Sequence, residues 1–299
     1  MQGLQVLIDR LSDNRGLHIS IEDLSGILDT PITRIAFENV IHTARFCNAA
    51  KSTPRGHETC MRCKQLAHGK AACTKAPFAG HCVYGLYEAV FPVLRNGSIA
   101  AIVYVGNAVA DREETVARIH RACGRTGVDP ALLLEAIERC EHVEGPTELM
   151  QIAELVSDYL KLLFESIPPN GRQLHWLVSL MKRYAEEMYS TGISLKELAI
   201  TCGKNEKYLG RLFKKELGLS FSEYCNGLRL EKAEKMLARG SRKIIDIAME
   251  CGFNNVSYFN RVFKAKHGMS PQAFSRTLRA SGTLLADKGS FFGKHPEKH

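Results

Sequence analysis

The chain has 299 residues, of which 45% are hydrophobic and 24% are charged, and its net charge is +8. This length favours about two domains of roughly 150 residues each, and the ordinary share of charge excludes a wholly disordered chain. No apolar run approaches the ~20 residues of a membrane-spanning helix, and the first residues lack the features of a secretory signal. We therefore expect a cytoplasmic protein with no membrane partner.

The charge is distributed unevenly between the two halves. Residues 1–170 carry 17 Lys and Arg against 20 Asp and Glu, a balance of −3, whereas residues 171–299 carry 23 against 12, a balance of +11. An acidic half followed by a basic half indicates two tasks and makes the second half a candidate for binding nucleic acid. A merely solubilising surface charge is the alternative.

The first half is predicted to mix strands and helices. Residues 17–24 alternate as a strand does, and residues 39–65 have helical spacing on either side of a break at 53–56. A hairpin follows, because an Asn-Gly dipeptide between two apolar runs is the strongest short signal for a tight turn. The two runs are 82–94 and 99–106, and the dipeptide is Asn96-Gly97.

Helices are predicted after the hairpin. Residues 111–123 have helical spacing, and Asp129-Pro130 begins another helix because Pro is favoured at the first helical position. Residues 147–167 form a long amphipathic helix. Its apolar stripe either packs on the sheet of its own chain or pairs with a second chain in a homodimer. The Pro168-Pro169 pair then ends the helix and marks a linker.

The second half contains an internal repeat of about fifty residues. Each copy has a short helix, a turn at a glycine, and a second helix that Asn205 or Asn254 is placed to cap. This order is typical of a helix-turn-helix motif, and a second helix with Arg and Lys opposite its apolar face suits the major groove of DNA. A helical repeat without a role on DNA is the alternative. Matching residues include Ala199 and Ala248, Cys202 and Cys251, Gly203 and Gly252, Arg211 and Arg261, and Phe213 and Phe263.

Residues 176–278 resemble the DNA-binding domain of the AraC/XylS family of bacterial transcription regulators, above all through 247–264 (IAMECGFNNVSYFNRVFK). The resemblance implies an all-α unit with two helix-turn-helix motifs, double-stranded promoter DNA as ligand and RNA polymerase as a further partner. At matching positions Gly210 offers no side chain, Val256 offers only an apolar contact, and Arg229 is a phosphate contact or solvated surface. The implied DNA-binding residues are Lys207, Arg211, Lys214, Ser257, Asn260, Arg261 and Lys264.

Seven of the ten cysteines lie in the first half of the chain. Because cytosolic thiols stay reduced, such a cluster indicates metal, redox or ligand chemistry, or small core residues. Cys60 and Cys63 have the spacing of half a zinc site, which Cys73 and Cys82 would complete, so zinc is a possible cofactor. A second Cys-x-x-Cys pair is missing, and a redox pair or ordinary cysteines therefore stay open.

The block Cys82-x-x-Gly85-Leu86-x-Glu88, together with Cys60 and a strand ending at Gly106-Asn107, resembles the PocR sensory domain over residues 17–163. The resemblance implies a PAS-like module with a single pocket on a curved sheet, which binds a small hydrocarbon derivative such as a short diol or polyol. The residues themselves support part of this implication, because a few polar side-chain groups in otherwise apolar strands suit the binding of a small polar ligand. The candidate ligand residues are Cys82, Tyr84, Glu88 and Tyr104.

Together these patterns predict a one-component, sequence-specific transcription regulator controlled by a small organic effector. The family resemblance implies that it is an activator. It is not predicted to be an enzyme, because no phosphate loop, zinc-protease motif or nucleophile elbow occurs. The alternatives are a metal or redox sensor built on the cysteines, or a cysteine alkyltransferase of DNA repair. The predicted parts are an α+β PAS-like sensory domain with an exit helix (1–167), a linker (168–174), an all-α domain with two helix-turn-helix motifs (175–280), and a disordered tail (281–299).

Overall fold

The computed structural model describes residues 3–29, 33–166, 174–192, 194–202, 204–239 and 242–281. The chain divides into two compact units, Met1–Leu180 and Met181–His299. Residues 168–173 of the predicted linker and 282–299 of the predicted tail lie outside the described residues. Within the described ranges, no helix combines the length and the apolar character needed to cross a membrane.

One sheet forms the middle of the first unit. Its strands are β1 (His18–Asp23), β2 (Phe78–His81), β3 (Tyr87–Arg95), β4 (Ser98–Val109) and β5 (Glu141–His142). Their order is β1-β4-β3-β2 with antiparallel neighbours, and β5 lies parallel to β4. The predicted hairpin is confirmed: Arg95 pairs with Ser98 across Asn96 and Gly97, whose φ angles of 51° and 76° suit a two-residue turn.

The strands differ from the prediction at the start of β3, at the end of β4, and in the unpredicted short strands β2 and β5. β3 begins at Tyr87 and not at Cys82, because residues 82–86 form a turn. In this turn the N–H of Cys82 donates to the carbonyl of Leu86, and Gly85 has a φ of +99°. The short strand β2 was not predicted, since its four residues contain two small ones and no clear alternation.

In the described part of the first unit, α-helices pack around the sheet: α1 (Gly3–Ser12), α2 (Arg45–Ala50), α3 (Pro54–Thr74), α4 (Arg112–Thr126), α5 (Pro130–Ile137) and α6 (Pro146–Ser166). Short 3-10 helices span Ile27–Asp29 and Phe37–Asn39. Thr53 caps α3, and Asp111 and Asp129 cap α4 and α5. The predicted break at 53–56 is therefore the start of α3. The predicted starts of α4 and α5 are confirmed.

The two faces of the sheet meet different helices. α1 and α6 cover one face, which presents Ile19, Ile21, Val103 and Val105. α3 covers part of the other face, and α2, α4 and α5 form a second apolar core beside it. The apolar stripe of α6 lies in the first core, so it packs on its own sheet, and the homodimer stays a prediction. The buried stripe residues are Leu149, Ile152, Val156, Leu160 and Phe164.

The second part of the chain is helical: α7 (Trp176–Met188), α8 (Leu195–Thr201), α9 (Glu206–Leu217), α10 (Phe221–Arg239), α11 (Ile244–Glu250), α12 (Val256–His267) and α13 (Pro271–Ser281). α8–α9 and α11–α12 are two similar helix pairs. Asn205 caps α9, and Asn255 caps α12 by accepting from the N–H groups of Ser257 and Tyr258. The predicted cap Asn254 is therefore wrong by one residue, because the second copy has one more residue in its turn.

Candidate functional site

The face of the sheet that α3 approaches is polar and largely buried. Side chains alternate along a strand, so the residues between the apolar ones of β1 and β4 share this second face. On β1 they are His18, Ser20 and Glu22, and on β4 they include Tyr104. Ser20, Glu22 and Tyr104 are buried. A buried polar face is unusual, because each group needs a hydrogen-bond partner or a ligand.

Glu88 extends this polar face onto β3, at a β-bulge. Tyr87 pairs with Ala108 and Ala89 with Val105, so Glu88 lies opposite two residues, Gly106 and Asn107. A Cβ on Gly106 would lie 3.2 Å from Cγ of Glu88, so the glycine makes room for this side chain. Burial raises the pKa of Glu88 to about 7, although the charge of Lys64 acts in the opposite direction.

His42 lies against Glu88. Its Nε2 is 3.6 Å from Oε1 of Glu88, and its ring contacts the rings of Tyr104 and His18 edge-on, with centroids 5.3 and 6.1 Å away. Burial, assisted by the charge of Lys64, lowers the pKa of His42 well below its usual value, so the imidazole is neutral at pH 7. No group in the described part of the chain lies within hydrogen-bonding distance of His42 Nε2.

The remaining polar groups of this face differ in how well they are satisfied. Glu22 accepts a hydrogen bond from the Tyr104 hydroxyl at 3.0 Å and pairs with Nδ1 of His68 at 3.3 Å. Burial alone would raise the pKa of Glu22, but His68 and Lys64 lower it to about 2. Ser20 is only 1% exposed, and among the described residues no partner reaches its hydroxyl. Glu22 therefore serves the fold, while Ser20, His42 and Glu88 retain unused hydrogen-bonding capacity.

Four thiols lie beside Glu88: Cys47 on α2, Cys60 and Cys63 on α3, and Cys82 in the turn before β3. They are close enough to affect one another electrostatically, and burial raises the pKa of each, to about 12 for Cys82. They are therefore protonated at neutral pH. All four nevertheless keep accessible surface. We therefore interpret these thiols, together with Glu88 and His42, as the lining of a candidate pocket.

The predicted ligand residues occupy different surroundings. Cys82 and Glu88 belong to this pocket. Tyr104 borders it, but its hydroxyl is engaged by Glu22. Tyr84 lies in the core of α2, α4 and α5, where its hydroxyl is 3.2 Å from the carbonyl of Ala50 and 3.3 Å from Oγ1 of Thr126. Sequence reasoning missed Ser20 and His42. The alternation of β1 signalled Ser20, whereas His42 has no local signal.

The four-cysteine metal set is wrong in one member. α3 is continuous through Cys60, Cys63 and Cys73, so ten residues separate Cys63 from Cys73 by about 15 Å along the axis at 1.5 Å per residue. Cys73 is exposed and cannot share an ion with Cys63. Among the residues described, no three His, Cys, Asp or Glu side chains are arranged to hold a metal ion.

The second helices of the two pairs expose basic faces. Leu209 and Phe213 of α9, and Phe259 and Phe263 of α12, are buried. The opposite faces carry every predicted DNA contact, and all of these side chains are exposed: Lys207, Arg211, Lys214, Ser257, Asn260, Arg261 and Lys264.

Two internal contacts hold α12 and its surroundings. The Tyr258 hydroxyl accepts from Nδ2 of Asn226 on α10 at 2.8 Å, and the Arg261 guanidinium lies 5.2 Å from the Tyr258 ring. Arg229 donates from Nε to the carbonyl of Tyr189 at 2.7 Å and lies over the ring of Phe253. Arg229 therefore contributes to the fold, and its role as a phosphate contact or solvated surface stays a prediction.

Comparison with known proteins finds two family models along the chain. The model described as the sensory domain found in PocR matches residues 1–166, and a helix-turn-helix domain model matches residues 198–277. The regulatory protein PocR of Salmonella typhimurium is 25% identical over 251 residues, which cover 78% of this chain and 82% of that protein. The transcriptional activator RhaR of Yersinia pseudotuberculosis is 31% identical over 121 residues, covering 40% of this chain and 39% of RhaR.

Solved structures match a smaller part of the chain. The C-terminal domain of AraT, a response regulator from Geobacillus stearothermophilus, is 27% identical, with a TM-score of 0.34, and the match covers 40% of this chain and 96% of that domain. The DNA-binding domain of AdpA, solved with a target DNA, is 20% identical, with a TM-score of 0.33, over 35% of this chain and 94% of that domain.

Proposed function

Because the chain belongs to the family of AraC-type regulators that carry the sensory domain found in PocR, we propose that it is a one-component regulator controlled by a short diol or polyol. The chain is a DNA-binding transcription regulator with a sensory domain. The proposal concerns what the sensory domain binds and how DNA is read. Its main support is the pocket at Glu88, where unused hydrogen-bonding groups lie beside weakly polar thiols.

The first unit is interpreted as a PAS-like sensor whose ligand lies between the polar face of the sheet and α3. Small-molecule sites combine a weakly polar lining with a few convergent polar groups. Protonated thiols provide the weakly polar lining, and Glu88 and His42 provide the convergent polar groups. Cys82 and Glu88 are the ligand residues that we retain from the sequence, with Tyr104 at the border. Tyr84 is left out, because its hydroxyl already has protein partners.

Both helix pairs of the second unit are interpreted as helix-turn-helix motifs, with α9 and α12 as the recognition helices. Arg211 and Arg261 are assigned to base edges, because an exposed guanidinium can bind guanine through two hydrogen bonds. Lys214 and Lys264 are assigned to phosphates. Two recognition helices that enter successive major grooves read half-sites about 34 Å apart.

Control by an effector requires that the ligand bind one state of the regulator more tightly than another. Such coupling typically amounts to ~1–3 kcal/mol between the two sites. Activation, a contact with RNA polymerase and a homodimer complete the proposal. RhaR, a relative, is named an activator. Most of the apolar stripe of α6 packs on the sheet, whereas Leu155 and Leu162 of the same helix are exposed.

A thermal-shift screen of the full chain tests the effector class. The panel holds short diols, glycerol, monoalcohols and aldehydes, with zinc and a chelator alongside. A ligand that binds only the folded state raises its melting temperature. The proposal expects a selective rise with a diol or polyol, and a smaller rise for Cys82→Ser while affinity for operator DNA is retained. No organic hit, together with a large loss of stability on chelation, would instead favour a metal sensor.

A further inference from the structure

The His42 imidazole and the Glu88 carboxyl group meet without forming a direct hydrogen bond. The two side chains come from separate parts of the chain and approach to 3.6 Å, which is too long for a hydrogen bond. His42 Nε2 is buried with no hydrogen-bond partner among the described residues. A buried polar atom without a partner costs free energy comparable to a lost hydrogen bond, so a ligand that satisfies it gains that amount.

We propose that His42 and Glu88 together form a hydroxyl-binding subsite, in which one ligand hydroxyl bridges Nε2 of the imidazole and the carboxyl group. The proposal rests on the proposed function and assigns a residue, His42, that neither the sequence motifs nor the family match indicates. Gly106 leaves room for the Glu88 side chain, because a Cβ at this position would lie 3.2–3.3 Å from Cγ and Cβ of Glu88.

A hydroxyl fits this subsite better than any charged group does. A neutral imidazole nitrogen either donates or accepts, and a carboxyl group does either according to its protonation. A hydroxyl donates one proton and also accepts, so it satisfies both partners whenever at least one of them donates. A carboxylate ligand only accepts, and its charge would lie against the Glu88 carboxyl. An ammonium group only donates, and it would lie near Lys64 and Lys51, whose charges already act on His42.

The subsite therefore selects neutral hydroxyl compounds against carboxylates and amines of the same size. Propane-1,2-diol should bind the full chain more tightly than lactate or 1-aminopropan-2-ol, which retain one hydroxyl and the same carbon skeleton length. We expect a preference of at least about tenfold, which corresponds to 1.4 kcal/mol. This comparison needs no variant, so it tests the inference even if a substitution at His42 prevents folding.

Variants then assign the effect to the two residues. His42→Phe should weaken binding of propane-1,2-diol at least about tenfold by calorimetry, since Phe fills the space without a polar atom. His42→Gln should restore part of the affinity, because its amide both donates and accepts. Glu88→Gln replaces the ionisable carboxyl group by an amide, so the affinity of this variant for the diol should not change between pH 5 and 8. Ser157→Ala is the matched control: it deletes a buried hydroxyl of α6, on the other face of the sheet, and should bind as the wild type does.

The outcomes separate this inference from the proposed function. If His42→Phe binds propane-1,2-diol as tightly as the wild type does, the proposed subsite is wrong, whereas the proposed effector class is unaffected. Tighter binding of lactate than of the diol would overturn both, as would the absence of binding by every hydroxyl compound of the panel. Loss of affinity in His42→Phe with recovery in His42→Gln supports the subsite.

Discussion

The Glu88 carboxyl should make the first unit less stable as the pH rises, and Glu88→Gln should remove that loss. Burial raises the pKa of Glu88 from 4.5 to about 7, against the charge of Lys64. The folded state then holds a proton that the unfolded state releases between these two values. Stability from this group is therefore fully present below pH 4.5 and is lost as the pH rises to about 7.

The size of the effect follows from the shift. The difference between 4.5 and about 7 is about 2.5 pH units, and each unit corresponds to ~1.36 kcal/mol, which gives about 3 kcal/mol in all. The Glu88 side chain retains 23% of its accessible surface, so partial solvation reduces this figure and makes it an upper bound. Gln keeps the shape and cannot ionise. Above pH 7 the variant should therefore be more stable than the wild type by up to this amount, relative to their difference at pH 4.5.

Urea denaturation of both proteins, followed by circular dichroism at half-unit steps from pH 4.5 to 8, measures this difference. The comparison is needed because His18 and His42, whose pKa values burial lowers, make stability rise with pH over part of the same range. That rise is common to both proteins, so it cancels in the difference except for any change at His42, which lies against Glu88. A difference in unfolding free energy that stays constant across this range would refute the assignment of a buried, proton-holding carboxyl to Glu88.

Three further outcomes are expected. Glu22→Gln should change stability with pH in the opposite direction, because His68 and Lys64 outweigh burial and lower the pKa of Glu22 to about 2. Above pH 4.5 the unfolding free energy of the wild type should exceed that of the variant by about 3 kcal/mol, and this advantage should be lost toward pH 2. Equal urea curves at pH 6 would contradict the network. Arg261→Ala should weaken specific operator binding by ~1–3 kcal/mol, whereas Lys264→Ala should weaken all DNA about equally and lower the salt slope by about 1; an unchanged operator affinity in gel-shift titrations would remove Arg261 from the interface. Asn255→Ala should destabilise α12 by ~1 kcal/mol through the lost cap, with Asn255→Ser as the control that keeps it, and a thermal melt identical to the wild type would show that the cap is dispensable.

Local signals account for the parts of the fold that the sequence predicted well. The hairpin follows from two residues, Asn96 and Gly97, that take positive φ at little cost. Asp111 and Asp129 begin helices because a short carboxylate can accept from the N–H groups of the first turn. The repeat of the second unit was readable for the same reason, since each motif is contained in about twenty consecutive residues. The cap of α12 was predicted at Asn254 and lies at Asn255, because the second copy contains a single inserted residue.

Long-range pairings account for what the sequence left out. Glu22 and His68 are far apart in the chain, and nothing local indicates that their side chains pair. The Cys-x-x-Cys pattern of Cys60 and Cys63 led to the opposite error, because it suggested a metal site that Cys63 would share with the distant Cys73. The continuous helix α3 holds these two apart. A spacing motif therefore constrains only residues whose backbone can bring them together.

The alternation of β1 shows why the pocket in particular was hard to predict. His18-Ile19-Ser20-Ile21-Glu22 has the pattern of a strand with one face in the core and one in water. In the structure α3 approaches the polar face, and Ser20 is as inaccessible as its apolar neighbours. A polar sheet face that is withdrawn from water must satisfy its groups by other means. Glu22 does so through Tyr104 and His68. His42 and Glu88 lie outside that network. Under the proposed function, a ligand that supplies their missing partners would gain the free energy that the fold otherwise loses.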